Sequence, residues 1–187
     1  MLFKQVAIAG LGASVIGGSA TGIYFLTKDN SIRAELIKSN KKLLDSAAPQ
    51  GLWEIKLHTY NSERKSKHEL NLTSWSDLKS WCTSTLSQSF SKGDKNYESG
   101  LTICTVPINR EKLLKEKKNP AESRDWAGKE TKYKTEGNGV NAIPNLADNK
   151  ATADEIRDWC NGALNNEYQE TGGNYALTLK WCTKEGQ

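Results

Sequence analysis

Residues 76–105 read SDLKSWCTSTLSQSFSKGDKNYESGLTICT, and residues 154–183 read DEIRDWCNGALNNEYQETGGNYALTLKWCT. The two stretches align without a gap. Trp81-Cys82 falls on Trp159-Cys160, Leu86 on Leu164, Asn96-Tyr97 on Asn174-Tyr175, Leu101 on Leu179 and Cys104-Thr105 on Cys182-Thr183. Conservative pairs fill the intervals: Leu78 with Ile156, Lys79 with Arg157, Phe90 with Tyr168. Upstream, Trp53, Lys56, Tyr60 and Glu63 keep the spacing of Trp126, Lys129, Tyr133 and Glu136, and RAELIK from Arg33 resembles REKLLK from Arg110. Self-similarity of this kind marks one supersecondary unit used twice.

Each unit opens with a charged helix carrying Leu36, Ile37, Leu43 and Leu44, or Leu113 and Leu114. A second helix follows, with Trp53, Leu57 and Tyr60, or Trp126 and Tyr133, near one face. The third helix is the best marked. Thr152 stands three residues before Glu155, and Ser74 three before Asp77, the spacing of a capping box. Leu78, Trp81, Cys82, Thr85 and Leu86 then make one stripe, as do Ile156, Trp159, Cys160, Ala163 and Leu164. The alternation of Tyr175, Leu177, Leu179 and Trp181, and of Tyr97, Leu101 and Ile103, suits a short closing strand. Trp53, Trp81, Trp126 and Trp159 are the expected core of the repeats. Trp75 and Trp181 lack Trp counterparts and are candidates for contacts specific to one unit, with Trp75 exposed at a helix start.

The four cysteines fall two per unit at equal separation. A disulfide within each unit, Cys82–Cys104 and Cys160–Cys182, suits small cores that need staples. Two other readings stand beside it. One is a metal site, disfavoured because closely spaced Cys or His pairs are missing. The other is four buried thiols behaving as small hydrophobes.

After Lys4 the residues 6–26 carry no charge, about 21 residues and long enough to span a bilayer as a helix. Ala20 after Gly18 offers a cleavage site for a signal peptide, but Ile23, Tyr24, Phe25 and Leu26 continue the apolar run and favour a retained signal-anchor. Gly10, Ser14, Gly18 and Gly22 recur every four residues, a stripe that lets two membrane helices approach closely and self-associate. Lys28, Arg33, Lys38, Lys41 and Lys42 after the span point the soluble region inward, whereas the cysteines point it outward. The outward topology is the one expected. The predicted architecture is an N-terminal transmembrane helix followed by a mainly α soluble region with minor α+β character, in two tandem diverged repeats. Residues 1–28 form the anchor, 29–106 the first unit and 107–187 the second.

A net charge of +4, with Lys and Glu interspersed, argues against nucleic acid as a partner. His58 and His68 are the two histidines, both in an exposed Lys-, Ser- and Glu-rich stretch, and read as solvated surface. No G-x-S-x-G, P-loop or H-E-x-x-H is present. The sequence therefore predicts no enzyme, no catalytic residues, no metal and no cofactor. Asn71-Leu72-Thr73 matches a glycosylation sequon.

The Gly/Ala-rich span at residues 6–26, the SIRAELIK stretch at Ser31, Trp81-Cys82-Thr83 and Trp181-Cys182-Thr183 together resemble the large paralogous families of uncharacterised membrane and surface proteins in haemotropic mycoplasmas. The resemblance implies a wall-less bacterium, a single-pass plasma-membrane protein and surface variation against a host. It supplies no activity and no functional residues. The function expected is a membrane-anchored, non-enzymatic surface protein that binds a host molecule or presents variable antigen. The alternative is an inward-facing membrane scaffold or assembly protein.

Overall fold

The computed structural model describes residues 29–64 and 70–184. The expected membrane anchor, its Gly10–Ser14–Gly18–Gly22 stripe and His68 lie outside these residues. No helix of the described residues is long and apolar enough to cross a membrane.

Among the described residues the secondary structure is almost wholly helical. The first half runs α1 (Ile32–Lys38), α2 (Gln50–Thr59) with a single π-turn (Tyr60–Arg64), α3 (Trp75–Leu86) and α4 (Lys95–Ile103). The second half runs α5 (Asn109–Lys115), α6 (Trp126–Glu136), a 3-10 turn (Gly139–Asn141), α7 (Ala153–Ala163) and α8 (Tyr175–Cys182). The described residues from Ser31 onward form one compact unit.

The halves repeat the same backbone hydrogen bonds at matching positions. Ile32 N donates to Gln88 O, and Asn109 N to Asn166 O. Leu44 N donates to Cys104 O, and Ala121 N to Cys182 O. Val106 N donates to Lys42 O, and Lys184 N to Asn119 O. Lys41 N closes α1 on Leu36 O and Lys118 N closes α5 on Leu113 O, each just after a residue at φ 56°, Asn40 or Lys117. This left-handed residue ends the first helix of each half, so Leu43 and Leu44 lie beyond α1 rather than on it. Leu43 instead forms an isolated bridge with Thr105, matched by Pro120 with Thr183.

Both expected capping boxes are present, at Ser74/Asp77 and Thr152/Glu155. Hydrogen bonds from Thr73 and Ser74 hold the Asp77 carboxyl below its ordinary range, and those from the Thr152 backbone and hydroxyl do the same for Glu155. A depressed carboxylate contributes stability above its ordinary pKa and loses it as pH falls through the lowered value, so both caps open in acid.

Two hydrophobic clusters fill the halves. In the first, Ile32, Leu36, Trp53, Tyr60, Leu78 and Leu86 surround the Cys82–Cys104 disulfide. In the second, Leu113, Tyr133, Ile143, Ile156 and Trp181 surround Cys160–Cys182. The Cα–Cα distances are 5.5 Å and 5.4 Å, within the ordinary disulfide range. Each bridge fastens the last helix of its half to the Trp-Cys helix.

The closing strands are not formed: both runs are helices, α4 and α8. In α8 the buried side chains are Thr178, Trp181 and Cys182, one helical face, while Leu177 and Leu179 are half-buried beside it. The apolar alternation is produced by a helix that is covered on more than one side. Of the expected core tryptophans only Trp53 is fully buried; Trp81, Trp126 and Trp159 are half-buried at the margins. Trp181, expected to make unit-specific contacts, is the central core residue of the second half. It lies edge-on to Tyr133 at 5.0 Å and donates from Nε1 to Asn141 O. Trp75 is half-buried against the first cluster rather than exposed. His58 is also half-buried, and its Nδ1 has no hydrogen-bond partner among the described residues, which corrects the solvated reading. Gly137 is a packing requirement, because a methyl group there would stand 2.6 Å from the Tyr133 ring.

Replacing Cys160 and Cys182 together by Ala is expected to lower stability by about 3 kcal/mol, the chain-entropy value for a loop of this size. Urea unfolding followed by near-ultraviolet circular dichroism, which reads Trp181 in its packed environment, checks it.

Candidate functional site

The halves meet where α5 packs on α2. Lys56 of α2 and Glu111 of α5 form an ion pair at 2.8 Å, with side chains only 4% and 10% exposed. Glu111 is doubly used: Oε1 accepts from Lys56 Nζ, and Oε2 accepts from the Ile108 backbone N–H at 2.9 Å. That second bond is one half of a capping box whose N-cap residue, Ile108, has no side-chain acceptor to return the bond. Lys115 and Glu54 add a second pair across the seam at 2.8 Å, and this contact holds the Glu54 carboxyl below its ordinary range. A third pair, Lys42–Glu167 at 2.8 Å, is exposed.

The linker is bound on both sides. Val106 N donates back to Lys42 O, while Pro107 O accepts from Tyr168 N, and Asn109 N and Arg110 N donate to Asn166 O and Leu164 O. Asn109 is fully buried and its amide NH₂ reaches Ala163 O and Asn174 Oδ1, both at 2.8 Å. The linker is thus a pinned segment, and the halves are held as one body.

Two cavities open along this linker beside the Lys42–Glu167 pair. The larger, about 340 Å³, has an apolar floor of Pro49, Leu52 and Val106 and a rim of Tyr168, Gln169, Glu170 and Thr171. The smaller, about 230 Å³, is bounded by Asn40, Lys41, Leu101, Thr105 and Ile108. Lys42, Val106 and Glu167 line both. Gly51, in the first turn of α2, brings the helix close to the rim: a methyl group there would lie 3.2 Å from Glu170 Oε1. The first turn of α2 has no acidic side chain and no side-chain cap of its own, so a carboxylate nearby is electrostatically favourable.

Behind the rim, Tyr168 packs edge-on against Tyr175 at 5.1 Å, and Lys112 Nζ lies 5.4 Å from the Tyr168 ring centre. Burial pushes the Tyr175 hydroxyl well above the ordinary phenol range, and its bond to Glu116 adds to the shift. Burial alone would raise Glu116, but hydrogen bonds from Tyr175 and Lys112 outweigh it and leave the carboxyl below its usual range. A phenol held protonated and a carboxylate held ionised make a fixed support for the rim. Among the described residues no three His, Cys, Asp or Glu side chains gather as metal ligands. The arrangement offers an apolar floor with charged and hydrogen-bonding groups around it, the makeup of a ligand-binding cleft.

The expected site residues stand elsewhere. The four cysteines pair inside the cores, and Trp53, Trp81, Trp126 and Trp159 pack in or against them; none of these lines the cleft. Lys56 stood out in the sequence only as a repeat match of Lys129, and Glu111, Glu167 and Glu170 were not singled out as site residues. For the glutamates the signal is that Glu111 falls on Ala34 in the alignment of REKLLK with RAELIK, a charge gained at a position that is buried in both halves.

Compared with family models, curated proteins and solved structures, the chain matches none.

Truncating one partner of the buried pair leaves a buried charge alone. Lys56→Met or Glu111→Leu is expected to cost about 3–5 kcal/mol each, and the double variant to recover most of that loss. Urea midpoints of the four proteins give the cycle; equal, additive losses would show the pair to be uncoupled.

Proposed function

We propose that the chain is a membrane-anchored, non-enzymatic surface protein that binds a host molecule, with the seam cleft as its binding site. The observation that carries this reading is a disulfide in each half, at the same place in two small cores. Disulfides persist in oxidising surroundings and are rare in a reducing cytosol. The uncharged run at residues 6–26 supports an anchor of the right length. The resemblance to the haemotropic mycoplasma families supports a surface location at the plasma membrane and variation of the exposed part. The cleft supports binding, since it offers a floor and a rim of mixed polarity without a nucleophile–base pair among its lining residues. The stripe Gly10, Ser14, Gly18 and Gly22 supports self-association within the membrane.

A second reading, an inward-facing scaffold, is favoured by Lys28, Arg33, Lys38, Lys41 and Lys42 just after the span. Thiol counting on intact cells with a membrane-impermeant maleimide separates the two. The surface reading expects no label before reduction and four labels after it. Absence of label in both conditions, with four thiols reactive on lysis without reductant, would turn the protein inward.

A further inference from the structure

We infer that the seam cleft binds a short extended peptide through both of its free ends, with the peptide amino terminus at Glu170 and its carboxylate at Lys41. The two cavities share Lys42, Val106 and Glu167, so they adjoin along the linker, and a ligand that enters both is longer than either cavity alone would hold. Glu170 lines only the larger cavity and Lys41 only the smaller. Neither is in an ion pair among the described residues, whereas Lys42 and Glu167 between them neutralise each other. The larger cavity therefore holds the Glu170 carboxylate, within electrostatic reach of Lys112, and the smaller the Lys41 ammonium, with Leu52, Val106 and Ile108 as apolar lining. A dipolar chain with small apolar side chains is the complement of that pattern. A nucleic acid or an anionic polysaccharide is not, because Glu170 and Glu167 would face its charges.

The Lys42–Glu167 pair lines both cavities, and a ligand that enters both requires it to swing aside. Its side chains are 65% and 40% exposed, and a surface pair of this kind is worth only ~0–1 kcal/mol, so opening costs little. Glu170 is set in place by the close approach of Gly51 on α2, and Lys41 by the chain reversal after Asn40.

This inference rests on the cleft being a binding site, and its failure is separable from that of the surface reading, which thiol labelling tests independently. The experiment is calorimetric titration of the full chain in detergent micelles with a free-ended alanine–leucine–leucine–alanine peptide, against empty micelles. Acetylating the peptide, or amidating it, is expected to weaken binding about fivefold, the value of one partly screened charge pair. Glu170→Gln should weaken binding of the free peptide equally and remove the effect of acetylation. Lys41→Met should do the same for amidation, and Lys79→Met on α3 should change neither. No heat above the micelle blank overturns the inference. So does equal binding of the blocked peptides, or a Glu170→Gln protein that still discriminates against acetylation.

Discussion

The disulfide that ties the last helix of each half to its Trp-Cys helix is the constraint on which the rest depends. Each half has four short helices, and several of their faces are carried by Thr, Ser and Lys rather than by aliphatic side chains. Burial alone gives such a unit little margin over its conformational entropy. Fixing α4 to α3, and α8 to α7, removes much of the freedom of the loop that joins each pair. It also positions residues 104–106 and 182–184, whose backbone groups bond to the chain just after the first helix. The disulfide thereby holds the first helix and the last together without a sheet. The isolated bridges at Leu43–Thr105 and Pro120–Thr183 are what remain of the β character anticipated for this end of the unit.

Much of the fold was legible because its signals are local. Ser74 and Thr152 start helices with their own side chains, and Trp81-Cys82 and Trp159-Cys160 sit on stripes of helical period. The closing strand was misread because alternation over a short run has two causes: a half-covered strand, or a helix touched on two sides. Tyr175 to Trp181 is the second, with Trp181 and Cys182 inward and Leu177 and Leu179 against neighbouring elements. Trp181 was misplaced for a related reason. Having no Trp in the matching position suggested a peripheral role, yet that position, Ile103, is buried in the first core as Trp181 is in the second, where it packs against Tyr133. The duplicated backbone conserves the space and not the residue that fills it.

The cleft was not legible, since it is made by side chains far apart in sequence whose types are common everywhere. A Lys and a Glu in a chain with 26% charged residues carry no mark of being buried together. Only the fold brings α2 and α5 into contact, and only then does the substitution of Glu111 for Ala34 acquire a meaning. The same is true of Glu170, which is an unremarkable loop residue until Gly51 on another helix approaches it.

The two halves share a backbone but not a docking surface, and that asymmetry explains why the seam and the cleft along it are not duplicated among the described residues. Where α2 presents Glu54, Ile55 and Lys56 to α5, the matching positions of α6 are Ala127, Gly128 and Lys129. Lys129 is fully buried and turns its ammonium to the Lys180 carbonyl of its own half. Ile55, buried in the seam region, is replaced by an exposed glycine. On the other side, α1 has Ala34 where α5 has Glu111, so it carries no acid at that position to meet a buried lysine. Neither α6 nor α1 thus offers a copy of the surface that joins the halves, which is how the end units of a tandem array differ from its interior contacts. The cleft, formed by the loop before α2 and the loop before α8 on either side of the linker, exists only where that surface is complete.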